Sequence, residues 1–297
     1  MKISTLLEKK QTLSFEVFPP KQELDEDLSG IAGTLEALTV AKPDFVSVTY
    51  GAAGKNRPRA LDIAELILAK GMLPLSHLTA VGYTKEHTRD VLSSLNQRGV
   101  NNILGLRGDI PENVHFPHGP WSDFHYATDL IEFIKTQNDF CIGAAAYPEG
   151  HTECPSIDQD IAHMLLKMKR GASFFITQLF FDNELFLRFR EQARSAGVDR
   201  PILAGIMPIF NATQIRRLVE ISGCSVPKKL EKLLDRYADK PESMADAGMD
   251  YAAEQIQELW KAKISGIHIY TMNKSEQILE IVKRASVDRC GGGAESC

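Results

Sequence analysis

The chain has 297 residues, 43% hydrophobic and 25% charged, an ordinary globular composition whose length suits one large α/β barrel or two smaller domains. Its 34 basic and 39 acidic residues leave a formal charge of −5 with no long basic run, which argues against nucleic acid as a partner. The N-terminal stretch MKISTLLEKKQTLSFE lacks the apolar core of a secretory signal, and no apolar run reaches the roughly 18 residues of a membrane span, so the expectation is a cytoplasmic protein with no membrane partner.

Short β-rich apolar runs occur in chain order at Leu13 to Phe18, Phe45 to Tyr50, Leu73 to Leu78, Asn102 to Leu106, Phe140 to Ala145, Phe174 to Phe180, Ile202 to Ile206 and Gly266 to Tyr270. Helical periodicity fills the intervals, at Leu24 to Leu38, Ala60 to Ala69, Lys85 to Arg98, Tyr126 to Thr136, Ile157 to Arg170, Glu184 to Ala196, Ala212 to Ile221 and a longer region from Pro227 to Ala262. Near-continuous apolar strands are buried on both faces, as in a parallel sheet covered by helices. Eight such units predict a (β/α)8 TIM barrel over residues 1–287, with an extra helix before the last strand and a disordered tail over 288–297. Thr84, Ser156 and Asn183 stand where N-caps are wanted, and Gly71, Gly99, Gly171 and Gly197 where helices end.

Barrels of this kind gather their chemistry at the C-terminal strand ends. Here those ends read Glu16 to Pro20, Thr49 to Ala52, His77 to Thr79, Arg107 to Asp109, Tyr147 to His151 and Thr177 with Gln178. Glu16 interrupts an otherwise apolar strand, and alternation puts it on one face with Ser14 and Phe18, toward the lumen. Two readings stand side by side: a buried carboxyl with no cation, able to serve as a general acid, or a buried ion pair with a lysine or arginine. Arg107-Gly108-Asp109 suits contact with a ligand headgroup, or a surface turn closed by its own salt bridge.

His77 and His151 end strands and suit ligand contact. His115, His118 and His125 share a loop that offers no acidic or thiol partner at a fixed spacing, and Cys141, Cys154, Cys224, Cys290 and Cys297 form no C-x-x-C pair. No metal site is expected, and the thiols are expected to be reduced. No G-x-G-x-x-G follows a strand, so a nicotinamide would have to bind outside a Rossmann unit.

Seven runs in order carry a more specific signal: Ser14-Phe-Glu-Val-Phe-Pro-Pro20, Phe45-Val-Ser-Val-Thr-Tyr-Gly-Ala52, His77-Leu-Thr79, Leu106-Arg-Gly-Asp109, Ala146-Tyr-Pro-Glu149 with His151, Ile176-Thr-Gln178 and Tyr270-Thr-Met-Asn273. With these the chain resembles bacterial-type methylenetetrahydrofolate reductases over almost its full length. The resemblance implies an FAD-dependent, ping-pong reduction of 5,10-methylenetetrahydrofolate to 5-methyltetrahydrofolate by NADH or NADPH, supplying methyl groups for methionine synthesis, in a homo-oligomer.

It further implies that Glu16 is the proton donor, that Asp109 is a carboxylate near flavin and pterin, and that Gln178, Gln214 and Lys274 bind the folate. Thr49 corresponds to the nicotinamide contact, and the flavin contacts to Tyr50, Ala52, His77, Arg107, Gly108, Asp109, Ala127, Tyr147, His151, Asp160 and Lys167. Leu218, His163 and Lys274 depart from the best-known bacterial pattern, where Phe, Asn and Arg stand. The alternative is another flavin-dependent barrel that oxidises a small amine, as in proline dehydrogenase; the pairing of Glu16 with Gln178 favours a pterin over that choice. Inhibition by S-adenosylmethionine through an appended regulatory domain is not expected.

Overall fold

A computed structural model describes residues 1–20, 28–49, 57–110, 116 and 119–287. Eight strands, β1 (Thr12–Val17), β2 (Phe45–Val48), β3 (Pro74–Thr79), β4 (Asn102–Leu106), β5 (Cys141–Ala146), β6 (Phe174–Thr177), β7 (Ile202–Ile206) and β8 (Gly266–Tyr270), pair in parallel and in sequence order. β8 pairs back onto β1 and closes the barrel. The expected run to Phe180 stops at Thr177, because the Gln178 side chain accepts the Leu179 N–H and turns the chain out of the sheet. The expected tail, and the strand end at Tyr50, lie outside the described residues.

The helices are α1 (Ile3–Leu7), α2 (Ser29–Leu38), α3 (Arg57–Ala69), α4 (Lys85–Gln97), α5 (Ala127–Gln137), α6 (Ile157–Arg170), α7 (Asn183–Ser195), α8 (Ala212–Ser222), α9 (Lys228–Arg236), α10 (Pro241–Lys261) and α11 (Ser275–Ala285). No described helix is long and apolar enough to cross a membrane. Thr84 and Ser156 cap α4 and α6 through their hydroxyls. The cap of α7 is Asp182, not Asn183: its carboxylate, two positions before Glu184, accepts the N–H groups of Glu184 and Leu185. The region from Pro227 to Ala262 divides into α9 and α10 at residues 237–240, and Pro241 opens α10. Two helices went unanticipated, α1 and α11. α1 is too short for periodicity to register, whereas α11 does carry a readable stripe in the buried residues Ile278, Ile281 and Ala285.

Among the described residues three apolar clusters divide the labour. The largest lies between the strands and the outer helices. A second unites α1 (Ile3, Leu7) with Phe45, Leu75, Leu104, Phe174 and Leu203, which seals the N-terminal end of the lumen. The third covers the ends of β6 and β7 with α8, α9 and α10, through Phe181, Ile209, Ile215, Leu230 and Met244. Gly248 makes that cover possible: a Cβ there would overlap the Ile209 carbonyl. With one end of the lumen plugged, the polar side chains of β1, β2, β3 and β8 face the other.

Candidate active site

Glu16 stands in the lumen, 7% exposed. Its Oε2 lies 3.6 Å from His77 Nε2 and 3.5 Å from His268 Nε2. Neither reading of this carboxyl from sequence anticipated these partners. Among the described residues no lysine or arginine pairs with it, and two imidazoles from β3 and β8 stand in their place. Burial holds the His77 imidazole below its ordinary range, the Glu16 charge opposing and His268 adding to the effect. His77 Nε2 is buried and has no hydrogen-bond partner. Tyr270 donates its hydroxyl to Thr177 O at 2.6 Å, and burial followed by the Glu16 charge keeps that phenol protonated far above its usual range. Gly205 leaves the room for this contact, since a Cβ there would sit 2.7 Å from Tyr270 Oη.

The chain after β8 clamps the end of β1. Thr271 Oγ1 donates to Glu16 O at 2.6 Å, while Asn273 accepts the Phe18 N–H at 3.0 Å and donates to Phe18 O at 2.7 Å. Met272 and Asn273 hold φ of 50° and 58° to do so, a left-handed conformation that these bonds stabilise. The sequence runs around Glu16 and around Asn273 are therefore one structural unit.

Beside the lumen, between β4, β5, α5 and α6, opens a cleft of about 520 Å³ lined by Arg107, Ala127, Tyr147, His151, Asp160 and Lys167 among others. Lys167 Nζ donates to Ala145 O at 2.9 Å, and burial pushes its ammonium down to about 8 against the attraction of Asp160 and Cys154. Asp160 accepts the His151 N–H at 2.5 Å. His151 Nδ1 accepts from Glu153 N at 3.1 Å, so the neutral ring carries its proton on Nε2. The Tyr147 phenol, buried and near the charge of Asp109, is pushed up to about 12.

Arg107 is held across the cleft, not within its own turn. Its guanidinium pairs with Glu153 and lies 4.5 Å over the Trp121 ring, which corrects the alternative of a turn closed by Asp109. Gly108 keeps φ at 78° where a Cβ would stand 2.7 Å from Val81, so the Arg107 to Asp109 turn packs against the end of β3. Asp109 is exposed.

The candidate residues thus fall into groups. Six of the expected flavin contacts share the cleft, whereas His77 packs on Glu16 and Thr49 follows β2 with its N–H on Val17 O. Tyr50, Ala52, His115 and His118 lie outside the described residues. Gln178 ends β6; Gln214 is in the first turn of α8, its N–H on Asn211; Lys274 Nζ lies 4.8 Å over Phe210; and Leu218 joins the third apolar cluster. Sequence reasoning missed His268, Ser47, Tyr126, Glu153 and Cys154. His268 had a signal, a lone polar ring alternating with Tyr270 on an apolar strand. Cys154, Asp160 and the departing His163 bring a thiol, a carboxylate and an imidazole within 4.8 Å of one another in the cleft wall, with the ammonium of Lys167 beside them.

Comparison with known proteins decides the family. The family model described as methylenetetrahydrofolate reductase matches residues 2–286. The chain belongs to the methylenetetrahydrofolate reductase family. The 5,10-methylenetetrahydrofolate reductase of Escherichia coli K12 is 34% identical over 266 residues, 89% of this chain and 87% of that protein. That of Pectobacterium carotovorum is 33% identical over 272 residues, 91% of this chain and 88% of the relative. Methylenetetrahydrofolate reductase 1 of Schizosaccharomyces pombe is 33% identical over 96% of this chain, which spans 48% of that longer protein. Among solved structures, a Clostridium thermocellum protein described as binding two copies of 5-methyl-5,6,7,8-tetrahydrofolic acid shares the fold, with a TM-score of 0.65 at 16% identity over 94% of this chain and 96% of that one. Membership in the reductase family removes the amine-oxidising alternative and gives the lumen carboxyl and the adjoining cleft a common context.

Proposed function

We propose that this chain reduces 5,10-methylenetetrahydrofolate to 5-methyltetrahydrofolate with NADH or NADPH, using FAD held in the cleft beside Glu16. The observation that carries the reading is a buried carboxyl at the open end of the lumen, adjoining a cleft whose donors suit a dinucleotide. Lys167, Arg107 and His151 supply two cations and a ring N–H for a diphosphate, and Asp160 suits a ribose hydroxyl. Arg107 Nε is buried without a hydrogen-bond partner, a polar atom that a bound anion would satisfy. Bound there, FAD would take hydride from the reduced nicotinamide and pass it to the one-carbon unit.

The work of the chain's own residues follows from chemistry. The methylene bridge of the folate opens when one amine nitrogen leaves, and expelling it as an anion is costly, so Glu16 supplies a proton to that nitrogen. Gln178, at the end of β6, is suited to hydrogen-bond the pterin, and Lys274 to meet the carboxylates of the glutamate tail. Asp109, near Tyr147, sets a negative charge beside the cleft, which would disfavour an anionic reduced flavin.

The test is recovery and turnover. Purified protein is expected to release FAD on heating, to be bleached anaerobically by NADH or NADPH, and to regain its colour on addition of 5,10-methylenetetrahydrofolate. Recovery of FMN alone, or no reoxidation by the folate, would refute the reading.

A further inference from the structure

His268 is fully buried in β8, stacked on Phe45 with ring centroids 5.8 Å apart and edge-on to Tyr270 at 5.7 Å. Those contacts fix the plane of its ring. Its Nδ1 lies 2.8 Å from Ser14 Oγ, and the same hydroxyl lies 3.1 Å from Ile267 O. A carbonyl only accepts, so both contacts are made at once only if Ser14 donates to Ile267 O and accepts from Nδ1–H. The neutral ring then carries its proton on Nδ1 and a lone pair on Nε2. That lone pair faces Ser47 Oγ at 3.3 Å and Glu16 Oε2 at 3.5 Å. Against a carboxylate it is repelled, while against a carboxylic acid it accepts a hydrogen bond.

We propose that His268, oriented by Ser14, is a positioning residue that aims the Glu16 carboxyl and favours its protonated form, so that the acid is loaded before the folate arrives. The inference rests on the reading of Glu16 as proton donor. The other groups facing Glu16 agree with it. His77 Nε2 on β3 stands 3.6 Å away on a ring that burial keeps uncharged, and the Tyr270 phenol on β8 keeps its proton. Tyr147 acts on Tyr270 only through charge, and Ser47 on β2 is not titratable. Among the described residues no lysine or arginine offers the carboxylate a counter-charge by pairing with it.

The experiment is single-turnover reoxidation of the reduced holoenzyme by 5,10-methylenetetrahydrofolate across pH, followed at the flavin band, for wild type, His268→Leu, Ser14→Ala and Glu16→Gln. The fall in rate toward high pH is expected to move down by about one pH unit in both His268→Leu and Ser14→Ala, because each removes the fixed acceptor. Ser14→Ala keeps the ring and decides the matter if His268→Leu does not fold. A limb that stays in place in folded Ser14→Ala, or that moves up as an imidazolium partner would require, overturns the inference. If Glu16→Gln reoxidises at near wild-type speed, the acid assignment itself fails, and that failure is visible whatever the histidine variant does.

Discussion

Lys167 presents a conflict between burial and ligand. Its ammonium, pushed down to about 8, lies in the cleft where a diphosphate is proposed to bind. Above that pH the free protein holds a neutral amine, which must regain a proton before it can pair with an anion. Cofactor affinity is therefore expected to fall as pH rises through about 8, by up to about tenfold per pH unit. Lys167→Met should bind FAD more weakly and without this dependence. Titration of apoprotein by flavin fluorescence quenching reads both, and a wild-type Kd that is flat through this range would separate the amine from the phosphates. At this scale the residue pattern exposed Glu16, which interrupts an apolar run, and Arg107, which ends one, whereas Asp160 and Lys167 came only with the family resemblance. It did not reveal that Arg107 reaches Glu153, or that Glu16 sits between two histidines, because those pairs join residues 46, 61 and 252 positions apart.

Elements were more legible than contacts. Parallel strands buried on both faces read as apolar runs, so all eight were visible; the ends of β1, β3 and β5 slipped by one residue, β2 stops at Val48, and β6 ends three residues early, where Gln178 redirects the backbone. α11 was passed over although its stripe was present, and the cap of α7 was misplaced by one residue because Asp182 and Asn183 are both good caps. The excursion α8 to α10 depends on a contact that no pattern announces, the approach of Gly248 to Ile209 O. Gly248→Ala would force α10 off the third apolar cluster at a cost of about 1–3 kcal/mol. The cleft is built from β4, β5, α5 and α6, so the same variant should still bind FAD. A lowered thermal midpoint with retained flavin is expected; an unchanged midpoint would show that α10 shifts freely.

For the whole molecule, on the proposed reading, nicotinamide and folate reach the flavin in turn, at the polar end of the plugged lumen beside the cleft. Initial rates with both substrates varied should give parallel double-reciprocal plots; intersecting lines would indicate two sites occupied at once. The family and the barrel were legible because seven motifs fall at strand ends in a fixed order, while the lumen network was not, since it is made by closure of β8 onto β1. Glu16 is proposed to supply the proton that opens the folate ring and to take no part in reducing the flavin. Stopped-flow measurement of the two half-reactions of Glu16→Gln tests this role most directly. Reduction by NADH or NADPH should stay within about tenfold of wild type, while reoxidation by 5,10-methylenetetrahydrofolate should slow by at least about 10²-fold, roughly 3 kcal/mol of barrier. Reoxidation at near wild-type speed would leave Glu16 a structural carboxyl and place the acid elsewhere.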